Sequence, residues 1–98
     1  MLTFKEIERI TMQAAADTIG ARHIVHAVVK PATNAAGEDA LGITMVVKPS
    51  AHQALLAGKS LDMLVQILEK LGAMEDDRWP IISYATEKDL ALDVDSES

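Results

Sequence analysis

The phrase Val-Val-Lys-Pro occurs twice, beginning at Val28 and at Val46, and each copy reads as the end of a β-strand. Paired valines favour a pleated surface, while proline has no N–H for a ladder and pushes its predecessor toward extended geometry. The likeness stops at four residues, because His26-Ala27 and Thr44-Met45, which precede the two copies, share nothing. A duplicated unit needs self-similarity over a longer period, so the phrases mark strand ends rather than a repeat.

Residues Arg22 to Lys30 therefore read as a first strand and Leu41 to Lys48 as a second. In the second, Leu41, Ile43, Met45 and Val47 share one face and Gly42, Thr44, Val46 and Lys48 the other. That alternation predicts a sheet covered by helices on one side and wetter on the other. The stretch between, Pro31 to Ala40, is rich in breakers and too long for a tight hairpin, so it is expected to be a flexible loop. A third strand is expected over Trp79 to Ala85, placed at an edge by Pro80.

The first helix has a full start signal. Thr3 can cap, Glu6 closes a capping box and Leu2 can staple onto Ile7, which predicts a helix over Phe4–Ile19 stopped by Gly20. Its apolar stripe is Phe4, Ile7, Ile10, Thr11, Ala14 and Thr18, broadened by Met12, Ala15, Ala16 and Ile19. After Pro49, Ser50 and Gln53 form a second capping-box pattern that opens a short turn to Ala57, interrupted by Gly58. Ser60 then starts the most apolar helix, with Leu61, Leu64, Val65, Leu68 and Leu71 as the expected core stripe, Met63 and Ile67 on its flank, and Gly72 at its end. Thr86 and Asp89 look like the start of a last short helix.

The expected architecture is α+β: a small mixed or antiparallel sheet of about three strands with helices on one face, in the order α-β-β-α-α-β-α. The chain has 98 residues, enough for one core, so residues 1–92 are read as one domain and 93–98 as a disordered acidic tail. Residues 1 to 73 balance seven acids with seven bases, and the net charge of −6 comes from the last 25 residues, where eight acids meet only Arg78 and Lys88. An acidic end opposes nucleic acid and anionic lipid, whose binding draws on an excess of Lys and Arg. Cysteine is absent, which removes disulfides, thiolate metal sites and a cysteine nucleophile. No apolar run approaches the about 20 residues of a membrane span, and the N-terminus lacks the layout of a signal peptide, so a cytoplasmic location is expected.

Candidate chemistry is sparse. His23 and His26, three apart on a strand, point to opposite faces and cannot share an ion, and no metal or cofactor is expected. Gly58-Lys59-Ser60 has the ending of a phosphate-binding loop, but that loop needs glycine where this chain has Gln53. No serine has a histidine and an acid placed by a motif to activate it, and Asp76-Asp77 falls in a charged turn where solvation is expected rather than acid–base work. No catalytic residue is assigned.

The order of elements over residues 4 to 91 resembles a minimal nucleotidyltransferase domain. That family carries Gly-Ser after its first strand and two aspartates on its second; here these positions fall on Lys30-Pro31 and on Gly42 and Thr44. Without carboxylates to hold magnesium, the resemblance implies a degenerate, non-catalytic copy, and small members of that family sit beside a helical partner in toxin–antitoxin pairs. The layout also resembles a type II KH domain, whose Gly-x-x-Gly RNA clamp would correspond to Gly58-Lys59-Ser60-Leu61, with the second glycine missing.

The function expected is a non-catalytic protein-interaction module that self-associates as a homodimer or binds a helical partner, with Met63, Ile67, Met74, Trp79 and Tyr84 as candidate contacts. The alternative is a KH-like RNA-binding or nucleotide-binding module using Gly58, Lys59 and Ser60.

Overall fold

The structure, a computed structural model, describes residues 2–90; the acidic tail expected from residue 93 lies outside them. Helix α1 spans Phe4–Thr18. Its capping box is formed as expected: the Glu6 N–H donates to Thr3 Oγ1 at 3.2 Å, and the Thr3 N–H donates to Glu6 Oε1 at 3.0 Å. The backbone bond from Thr3 is also the main reason the Glu6 carboxyl sits below its ordinary range. Leu2 and Ile7, on either side of the cap, are both buried in the core. Thr11 is fully buried with its hydroxyl donating to the Ile7 carbonyl at 2.8 Å, so burial leaves no orphaned donor. The chain leaves the helix through Gly20, at φ 108°.

Strands β1 (Ile24–Thr33), β2 (Asp39–Val47) and β3 (Trp79–Ala85) form one mixed sheet in the order β1-β2-β3. β1 pairs antiparallel with β2, and β2 pairs parallel with β3. The expected face is the covered one: Leu41, Ile43, Met45 and Val47 of β2 join Ala27 and Val29 of β1 beneath the helices. Val46, on the other side of β2, is also fully buried.

Two sequence expectations about the strands need correction. β1 runs through Pro31 to Thr33, because an edge strand tolerates a residue with no N–H. The connection from β1 to β2 is consequently a short hairpin rather than a long flexible loop. Asn34 builds it, its Oδ1 accepting from the N–H groups of Ala36 and Glu38, each at 2.9 Å, while Gly37 supplies a φ of 81°.

A parallel pair requires a crossover, and residues 48–78 provide it. A 3-10 turn at Pro49–Ala51 leads into α2 (His52–Ala54), then a wide turn over Leu55–Lys59 broken at Gly58 (φ 91°), then α3 (Ser60–Ala73). Ser50 makes no cap. Gly72 remains helical, and the left-handed residue that ends α3 is Glu75 at φ 61°, after which the Asp76 N–H reaches the Leu71 carbonyl at 2.9 Å.

α3 is rotated from the expected assignment: Leu71 is buried as expected and Leu64 and Leu68 are half-buried, but the flank residues Met63 and Ile67 take the centre of the core. Met63, Ile67 and Leu71 are the buried stripe, whereas Leu61 and Val65 are exposed. Both stripes are apolar at helical spacing, and the helix can turn only one of them to the sheet. After β3, Thr86 and Asp89 form a second reciprocal cap, Thr86 N–H to Asp89 Oδ2 at 3.0 Å and Asp89 N–H to Thr86 Oγ1 at 3.1 Å. Among the described residues no helix is long and apolar enough to cross a membrane.

Candidate interaction surface

β3 is an outer strand, and among the described residues its backbone is paired only with β2. Alternation sends Pro80, Ile82 and Tyr84 toward the helices and Trp79, Ile81 and Ser83 to the open face. Trp79 is 53 % exposed and Ile81 45 %. Ser83 meets Thr44 of β2 on that face, hydroxyl to hydroxyl at 3.4 Å. Tyr84 is half-buried, and desolvation pushes its phenol up to about 12, so it stays protonated at neutral pH.

On the helix side, a groove of about 300 Å³ separates the β3 edge from α3. Ser60, Leu61, Leu64, Pro80, Ile82 and Tyr84 line it, and none of them is charged. Leu61 stands on its rim with 63 % of its surface exposed; Leu56 is exposed in the turn before α3, and Val65, one turn beyond Leu61, is exposed beside the separate groove of Asp17, Lys59, Asp62 and Glu69. The β3 edge is thus flanked by apolar side chains on both faces.

The candidate contacts named from sequence do not all gather here. Trp79 and Tyr84 do, on opposite faces of β3. Met63 and Ile67 are fully buried in the core and cannot be reached by a partner while the domain is folded, a correction that follows from the rotated face of α3. Met74 is exposed but lies elsewhere, in a groove with Leu2, Arg9, Ile10 and Lys70 where α3 ends beside the start of α1. Leu61 and Ile81 were missed as contacts, although the double apolar stripe of α3 already signalled more apolar surface than one sheet can cover.

Gly58 and Lys59 are exposed and Ser60 half-buried, at the kink before α3. Lys59 approaches Asp62 at 4.0 Å. The groove that Lys59 borders also contains Asp17 and Glu69, so a phosphate there would face three carboxylates around one ammonium.

His23 lies in a turn before β1, not in the strand, and its Nδ1 is 2.7 Å from Ser50 Oγ, a pairing the sequence had not revealed. Arg22 Nε donates to His23 Nε2 at 3.2 Å. A neutral imidazole accepting at Nε2 carries its proton on Nδ1 and donates to Ser50, which is the opposite of activating that hydroxyl. The contact instead ties the turn before β1 to the turn after β2, alongside the Lys48 N–H to His23 carbonyl bond at 2.8 Å. Among the described residues no cluster of three or more His, Asp or Glu is placed to hold a metal ion.

Asp76 is not a solvated turn residue. It is buried, and its carboxylate takes two bonds from the Arg78 guanidinium, at 3.0 and 2.6 Å, with a further bond from the Leu2 N–H at 3.2 Å. Arg78 also donates to the Leu2 carbonyl at 3.0 Å. The Arg78 bonds hold the Asp76 carboxyl far below the usual carboxylate range. With every acceptor occupied by structural donors, this pair fastens the segment before α1 to the α3–β3 connection.

No family of known proteins, no curated protein and no solved structure matches this chain.

Proposed function

We propose that this chain is a non-catalytic protein-interaction module whose contact surface is the β3 edge together with the outward stripe of α3. The observation that carries the reading is apolar exposure on both faces of that edge: Leu61 on the rim of the uncharged groove and Trp79 and Ile81 on the open face. Monomeric domains seldom leave apolar patches beyond a few hundred Å² uncovered, and an unpaired strand edge beside such a patch is a template for a partner. The polar constellations point the same way. Asp76–Arg78 and His23–Ser50 are spent on holding segments together, and the acids near Lys59 oppose a phosphate backbone.

Affinity isolation of the tagged full-length chain from lysate at moderate salt, with and without nuclease, tests this. The expected result is stoichiometric protein, a second copy included, that survives nuclease, is lost with Leu61→Asp and is retained with Lys59→Glu. Recovery of salt-sensitive RNA, lost with Lys59→Glu and indifferent to Leu61→Asp, would replace this reading with the RNA-binding one.

A further inference from the structure

The groove where α3 ends beside the start of α1 has no part in the surface proposed above, and its chemistry differs from that of its neighbours. It holds about 330 Å³, the lower end of the range for small-ligand sites, and Leu2, Ile10 and Met74 give it apolar walls. Arg9 and Lys70 line it as well. Among the described residues neither cation forms an ion pair. Glu6, the acid among its lining residues, has its carboxylate turned back onto the Thr3 N–H at 3.0 Å as half of the α1 cap. Other grooves have the opposite balance, since those beside Lys59 and beside Arg78 each hold three carboxylates. In a chain of net charge −6, this groove is apolar with bases in excess.

The wall at Leu2 is held in place. Its side chain is buried, its N–H donates to Asp76 at 3.2 Å and its carbonyl accepts from Arg78 at 3.0 Å. The buried Asp76–Arg78 pair thus fixes both backbone polar groups of this residue, and a wall already ordered lowers the cost of binding. Met74, 54 % exposed on the other side, is an unbranched side chain that adapts to an apolar chain laid against it.

Apolar walls with uncommitted cations select a ligand with an apolar body and an anionic head. A guanidinium matches the planar fork of a carboxylate, and a cationic head would meet Arg9 and Lys70 with like charge. A long polyanion is opposed by the acids elsewhere on the molecule. We infer that this groove is a binding site for a small amphiphilic carboxylate, an unbranched acyl anion whose chain lies along Leu2, Ile10 and Met74 and whose head is held by Arg9 and Lys70. The inference is independent of the interaction reading, which concerns β3 and the first turn of α3.

Amide NMR spectra of the full chain at pH 7, titrated with octanoate, test it. The controls are octylamine, an equally long chain under a cationic head, and acetate, the head without the chain. Octanoate is expected to shift the amides of Leu2, Ile10 and Met74 and to bind at least tenfold more tightly than either control. Met74→Asp, at an exposed position, should weaken it at least tenfold, and Arg9→Gln combined with Lys70→Gln should erase the preference over octylamine; the same spectra show that each variant is folded. No shift at these amides with about 10 mM octanoate, ten times the ~1 mM constant expected for a ligand of this size, overturns the inference. Equal binding of octanoate and octylamine by the wild type overturns it too, as does octanoate binding that survives both sets of substitutions. None of these outcomes bears on capture through Leu61, which tests the interaction reading separately.

Discussion

Asp76 accepts hydrogen bonds from the Leu2 N–H and the Arg78 guanidinium while buried from solvent, and so joins positions 74 residues apart in the chain. Removing one member of such a pair leaves the other buried without its counter-charge. Asp76→Asn should therefore lower unfolding stability by about 3 kcal/mol, read from urea midpoints at pH 7. The pH dependence has a definite sign. The folded-state carboxyl is depressed, so its contribution is fully present above its unfolded value of 3.8 and is lost as pH falls below that. Between pH 5 and pH 3 the wild type should lose more stability than Asp76→Asn. Glu75, the left-handed residue at φ 61° after α3, holds a conformation that glycine adopts without strain; Glu75→Gly should raise the thermal midpoint, corresponding to ~0.5–1 kcal/mol. None of this was legible in the sequence. Asp76 sits in a run of acids that resembles a solvated turn, and the helix has a glycine at Gly72 that looks like its stop. The deciding contacts are tertiary.

At the scale of elements, local signals predicted well and facing did not. The start of α1 and the bounds of β3 were readable because a reciprocal cap at Thr3 and Glu6, and a β-favouring run with an edge proline, act over a few residues. The β1–β2 turn was misjudged because Asn34 replaces missing backbone bonds with its own side chain, which composition does not reveal. α3 was assigned with its face rotated, Leu71 correctly placed in the core but Met63 and Ile67 put on its flank. The expected stripe, Leu61-Leu64-Val65-Leu68-Leu71, and the observed one, Met63-Ile67-Leu71, share the helical period and meet at Leu71, and only the crossover from β2 to β3 decides which meets the sheet. Truncation distinguishes the two arrangements: Met63→Ala should cost about 2–5 kcal/mol in unfolding stability, while Leu61→Ala should cost under ~0.5 kcal/mol. Equal costs would mean that α3 is turned differently. The candidate site inherited the same ambiguity, so Trp79 and Tyr84 were found from sequence while Leu61 and Ile81 were not.

For the whole molecule, the central claim is that the sheet is closed on its β1 side, where Pro31, the exposed Lys30 and an irregularity in register between Ile24 and His26 oppose pairing, and open on its β3 side. The acidic excess lies in the last 25 residues, on either side of β3, while the strand itself and the α3 groove above it carry no charged residue. Pairing there needs no new fold. It extends an existing sheet and covers the α3 stripe that the domain's own core leaves exposed, so the same helix serves the interior with one face and the contact with the other. Amide hydrogen exchange along the two outer strands, compared between the free chain and the chain bound to the protein that affinity isolation recovers, tests the claim most directly. The account predicts outward-facing β3 amides that gain protection in the complex, while β1 edge amides exchange freely in both states. Equal exchange at both edges, with and without that protein, would contradict it.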